Sequence, residues 1–60
     1  IAEVYRSAVD LNRAKNSAET RELLRRVGSL YSAVSGWTGP MTSDQNAQLQ
    51  YFTRKIAELR

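Results

Sequence analysis

Apolar residues recur with helical spacing on both sides of a short segment, Gly36–Pro40, which holds two glycines and the single proline. The steps alternate between four and three residues, which places one narrow apolar stripe on each of two helices. We call these positions the seam: Leu23, Val27, Leu30, Val34, Trp37, Leu49, Phe52, Ile56 and Leu59. Because glycine and proline disfavour helix interiors, the pattern predicts an all-α antiparallel helical hairpin in one coiled-coil-like domain. Its helices cover about 2–35 and 43–60, with a turn over 36–41.

A separate apolar stripe lies at the start of the chain and comprises Ile1, Val4, Tyr5, Ala8 and Leu11. At 100° per residue it points about a quarter turn away from the seam. The lack of glycine and proline between Asn12 and Glu22 favours one continuous first helix. The spacing of Asn16 and Glu19 suits a capping box and favours a break near Asn16–Ser17, which would give a three-helix bundle. We expect the continuous helix, in which case the N-terminal stripe needs a partner to cover it.

The turn carries its own local signals. Gly36 stands where a left-handed residue ends many helices, and Trp37 would then fold back towards Tyr31. The Trp37 ring is then either a plug for the end of the hairpin or a binding anchor, and we favour the plug. Thr42 and Gln45 have capping-box spacing, which predicts that the second helix begins there.

The amino-acid composition excludes most kinds of catalytic and metal-binding site. The 60 residues contain no cysteine and no histidine, so thiolate and imidazole ligands, nucleophiles and general bases are missing. The six acidic residues are scattered, and Glu19 and Glu22 stand among arginines as on a solvated helix face. We therefore expect no enzyme and no catalytic, cofactor-binding or metal-binding residue; only an activity that tracks Glu19 or Asp44 would reverse this.

The formal charge of +3 leaves a second functional class open. Arg21, Arg25 and Arg26 could contact nucleic acid or an anionic surface, although the interspersed acids make this the less favoured alternative. No apolar run is long enough to span a membrane, and the sequence opens without the pattern of a signal peptide. The helical pattern continues to both ends without capping residues, so we expect a fragment of a larger protein.

The size of the seam favours an interaction role. A two-helix hairpin with a narrow apolar seam buries too little surface to offset the conformational entropy of its chain. We therefore expect the chain to form a homo-oligomer or to dock onto its parent protein. The seam would carry that contact, and the N-terminal stripe would supply a further partner contact.

Two families resemble parts of the chain. Residues 30–60 resemble the helical tail after the β-propeller in bacterial sortilin-type proteins with BNR (sialidase-like) repeats. The residues that carry this likeness are Pro40, Thr42, Gln45, Leu49, Phe52, Ile56 and Leu59. Trp37-Thr38-Gly39, with Phe52 as a second aromatic, is similar to the turn of the small Trp-x-Gly hairpin proteins exported by type VII secretion. Both resemblances imply an exported protein that works through helical contacts, and we favour the first; it carries no hydrolase activity over to these residues.

Overall fold

Three helices form the fold, as seen in a computed structural model that describes residues 1–60. They are α1 (Ala2–Lys15), α2 (Ala18–Ser35) and α3 (Ser43–Leu59). Each helix contacts the other two, and the bundle measures 34 × 18 × 16 Å. The predicted all-α class is therefore confirmed, and the architecture is the three-helix alternative.

The continuous helix over 2–35 is wrong, because the chain breaks at Asn16. This residue adopts the left-handed conformation (φ 47°, ψ 44°), which asparagine tolerates better than most residues. Ser17 then begins α2: its Oγ accepts from the Thr20 amide at 3.1 Å, and Thr20 Oγ1 accepts from the Ser17 amide at 3.0 Å. A capping box is present, but it joins Ser17 to Thr20 instead of Asn16 to Glu19.

The break lets α1 fold back onto the other helices and contribute to one core. The buried apolar residues come from all three helices and are Ala8, Leu11, Leu23, Val27, Leu30, Phe52 and Ile56. Ile1 and Val4 are partly buried against them. Much of the N-terminal stripe is thus covered by the chain itself, so Ala8 and Leu11 do not require an outside partner.

The turn between α2 and α3 differs from the prediction at its first residue. Gly36 is right-handed (φ −84°, ψ −1°) and closes α2 through a hydrogen bond from its amide to the Ser32 carbonyl. At the other end of the turn, the capping box that begins α3 is confirmed. The Gln45 amide donates to Thr42 Oγ1 at 3.1 Å, and the Thr42 amide donates to Gln45 Oε1 at 3.0 Å.

Trp37 lies outside the core and does not fold back onto Tyr31. Its Nε1 donates to the Pro40 carbonyl at 2.8 Å, and its ring lies so close to Gly39 that a Cβ there would be 3.1 Å from Nε1. The side chain is 52% exposed, and the Tyr31 ring instead packs on Tyr5, with centroids 5.0 Å apart. The indole is held by the turn itself, which explains why it leaves the seam.

Candidate functional site

The most prominent concave surface is a groove between α2 and α3, and no residue of α1 lines it. Its wider section, next to the turn, has a volume of about 640 Å³. A narrower section of about 180 Å³ continues towards the start of α2 and the end of α3. Arg26 and Tyr51 line both sections, so the two are adjacent, and we call them together the α2–α3 groove.

Small side chains keep this groove open. Ser29 and Ala33 stand on the α2 wall and Ala47 on the α3 wall, all exposed to solvent. The floor of the wide section is apolar, because Leu30 and Phe52 of the core lie beneath it. Two helices with small residues along their facing edges leave space above the core that a further apolar side chain can fill.

The narrow section also has an apolar floor, and the aromatic ring of Tyr51 stands between the two sections. Leu23 and Leu59 line that section. Tyr51, which is 47% exposed, stands between the sections and packs edge-on against Phe52 with ring centroids 5.6 Å apart. A partly exposed tyrosine above a leucine and phenylalanine floor supplies the mixture of apolar area and hydroxyl typical of protein contact surfaces.

Charge along the groove comes mainly from one cluster on α2. Glu22 accepts from Arg25 through both oxygens, with Nη2–Oε1 at 2.6 Å and Nε–Oε2 at 3.1 Å. It also accepts from Arg26 Nε at 3.3 Å. The hydrogen bond from Arg25 holds the pKa of Glu22 below its ordinary value, and the same bond raises the pKa of Arg25. All three groups are exposed, so this cluster stabilises the fold only modestly.

The predicted cationic face is therefore not assembled as three free arginines. Arg25 and Arg26 share Glu22, and Arg21 turns back to the Ser17 carbonyl at 3.4 Å. The carboxylate between the two paired arginines reduces the positive potential that a phosphate backbone would meet. Nothing in this geometry favours the nucleic-acid alternative over a protein contact.

Eight of the nine seam residues lie together in or against the core, and Trp37 is the exception. Leu23, Val27, Leu30, Phe52 and Ile56 are buried, and Val34, Leu49 and Leu59 are partly buried against them. The seam therefore forms much of the intramolecular core, and the groove lies beside it. Sequence reasoning missed this groove; the available signal was the small residues Ser29, Ala33 and Ala47, which neighbour the seam at helical spacing.

Glu19 and Asp44, the two acidic residues singled out from the sequence, lie far apart on the α2–α3 pair. Glu19 lines the narrow end of the groove, whereas Asp44 lies in the first turn of α3, at the opposite end of the antiparallel pair. No three acidic, histidine or cysteine side chains are grouped so that they could hold a metal ion. None of the three helices combines the length and the apolar character needed to cross a lipid bilayer.

These features define a small all-α bundle with the α2–α3 groove on one side. Two further depressions, of about 250 and 400 Å³, lie between α1 and the C-terminal end of the chain. Comparison with protein-family models, with curated proteins and with solved structures gave no match to this chain.

Proposed function

We propose that the chain is a non-catalytic helical interaction element that receives a further helix in the α2–α3 groove. The observation that carries the proposal is the pair of adjacent depressions lined by Leu23, Leu30, Phe52 and Leu59, with no residue of α1 in their walls. An additional helix laid along α2 and α3 would cover this apolar floor and the exposed face of Tyr51, as amphipathic helices do in hydrophobic grooves.

The size of the chain supports the same proposal. A domain of 60 residues without disulfide or metal has few kcal/mol of stability from its own core. Covering the floor of the groove would add apolar burial and so stabilise the bundle by linkage to the bound partner. The resemblance of residues 30–60 to the tails of sortilin-type BNR-repeat proteins supports placing the element in a larger, exported parent protein.

Two neighbouring residues of α2 allow a direct test. Ala33 lines the groove, whereas the adjacent Ser32 is exposed and lines none of the grooves. Ala33→Arg would fill the wide section with a long side chain, and Ser32→Arg would add the same side chain outside it. Both positions are in a helix interior, where arginine has good propensity, so both variants should fold.

The measurement is a titration of the isotope-labelled chain with a neutral amphipathic peptide of leucine, glutamine and alanine, matched to the 18 residues of α2. We expect amide shifts confined to residues that line the groove, lost in Ala33→Arg and retained in Ser32→Arg. Sedimentation at several concentrations reports whether the chain itself supplies the helix as a homo-oligomer. Shifts that are absent or spread over all faces of the bundle, together with a monomer that Ala33→Arg leaves unchanged, would overturn the proposal.

A further inference from the structure

We infer that the helix received by the α2–α3 groove is an acidic amphipathic helix from a partner, an inference that rests on the proposed function. The wide section is lined by two guanidinium groups, those of Arg25 and Arg26, and by no acidic residue, whereas Glu19, Glu22 and Lys55 line only the narrow section. Glu22, which pairs with both arginines, offsets part of their charge. The opposite wall contributes the neutral amides of Gln45 and Gln48. A helix entering here therefore meets hydrogen-bond donors with positive charge on one side and neutral amides on the other.

The two arginines have unused donors. Arg26 binds Glu22 only through Nε, so its terminal nitrogens make no hydrogen bond within the chain. Arg25 uses Nε and Nη2 on the same carboxylate and keeps Nη1 free. Because a guanidinium carries five N–H donors, both side chains can hold Glu22 and still bind an incoming carboxylate, which arginine recognises well.

The shape of the groove suits a helix. On α2 its lining runs from Glu19 to Ala33, which corresponds to about 21 Å at a rise of 1.5 Å per residue. That length matches about four turns of a partner helix, which would place apolar side chains over Leu23 and Leu30 and acidic ones beside the arginines. The position of Tyr51 between the two sections gives such a helix a ring to pack against midway.

Charge also argues against a second copy as the occupant. Each chain has a formal charge of +3. Pairing two copies through the same groove about a two-fold axis would bring Arg25 and Arg26 of both copies towards one another. Like charges at such a contact disfavour it, whereas an acidic helix neutralises the same groups.

The test compares two labelled peptides of the same length and leucine pattern, one with glutamate and one with lysine at the positions that flank the leucines. Fluorescence anisotropy gives their affinities for the 60-residue chain at low and high salt. We expect the acidic peptide to bind roughly tenfold more tightly at low salt, with the difference shrinking as salt screens the arginines. In Arg25→Gln/Arg26→Gln this preference should largely disappear, while Ala33→Gln, which fills part of the wide section without adding charge, should weaken both peptides.

The outcomes separate the inference from the proposed function. Equal binding of the two peptides, with both weakened by Ala33→Gln, would overturn the acidic partner and keep the groove as a helix site. Binding of neither peptide, with no effect of Ala33→Gln on any association, would overturn both. A dimer that forms through the groove and excludes the acidic peptide would identify a second copy as the occupant and overturn the inference.

Discussion

The Thr20 hydroxyl donates to the Asn12 side-chain oxygen at 3.1 Å, and this bond joins the last turn of α1 to the first turn of α2. Thr20 is the only buried polar residue of the chain, and its hydroxyl also accepts from the Ser17 amide. One side chain therefore begins α2 and holds the preceding helix beside it. The bond therefore adds to the break at Asn16 in holding α1 against the start of α2.

Thr20→Val should destabilise the bundle by about 1–3 kcal/mol, since it keeps the shape of the residue but leaves the Ser17 amide and Asn12 without their partner. Urea unfolding followed by circular dichroism measures the loss. Thr53→Val is the matched control, because the Thr53 hydroxyl donates to the Leu49 carbonyl on the exposed surface and its removal should change stability by less than about 0.5 kcal/mol. Equal effects at the two positions would contradict the importance of the junction.

Gly28→Ala should stabilise the fold. Gly28 lies inside α2 with ordinary helical geometry, and a Cβ there would meet the Tyr5 ring at 3.5 Å, a normal van der Waals distance. Alanine in place of a helix-interior glycine gains about 0.8–1 kcal/mol, which in a domain of this size raises the melting temperature by about 4–8 °C.

Gly39→Ala, unlike Gly28→Ala, should not stabilise the fold. Its Cβ would stand 3.1 Å from Trp37 Nε1, so the indole must move and its bond to the Pro40 carbonyl weakens. We expect no gain in melting temperature and a shift of the Trp37 fluorescence. A stabilised Gly39→Ala with unchanged fluorescence would show that the ring does not lie against the turn as described.

Ile56→Asp should unfold the chain. Ile56 is buried in the core, and an uncompensated carboxylate there costs more than the few kcal/mol available to a domain of this size. Ala57→Asp places the same charge on the adjacent exposed position and should cost at most about 1 kcal/mol, mainly through the helix dipole. Helicity that survives in Ile56→Asp would mean that the core is elsewhere.

The sequence predicted the parts of this fold that depend on periodicity and capping. Val27, Leu30, Phe52 and Ile56 lie together as their spacing indicated, and Thr42 begins α3 as its capping box required. The break at Asn16 was not the favoured prediction, because neither glycine nor proline marks it and because the capping box of Ser17 and Thr20 does not have the Ser/Thr-x-x-Glu/Gln pattern.

The small residues Ala33 and Ala47 alone did not locate the groove, for a different reason. Whether they leave a depression depends on how α2 and α3 are placed relative to each other and to α1, which their spacing in the sequence does not give. A stripe of apolar residues indicates that a helix is covered, but it does not indicate which helix covers it. Because the chain breaks at Asn16, α1 packs on α2 and α3 and covers part of their apolar surface. Much of the N-terminal stripe is thereby buried, and the α2–α3 groove stays open.

Glu22 should titrate at a lower pH than an ordinary glutamate, because the hydrogen bond from Arg25 favours its ionised form and lowers its pKa. A carboxylate whose pKa is lower in the folded state contributes stability above its unfolded pKa, and that contribution is lost as the pH falls through the lowered value. The Glu22 side chain is half exposed and its partners lie on the surface, so we expect the effect on unfolding to be small and weaker in high salt. The decisive measurement is the carboxyl ¹³C shift of Glu22 against pH: Arg25→Gln should raise the midpoint, whereas Arg54→Gln, on another helix, should leave it in place. A midpoint that is unaffected by Arg25→Gln would show that the ion pair at the rim of the groove does not persist in solution, and the carboxylate of a partner would then meet Arg25 without competition from Glu22.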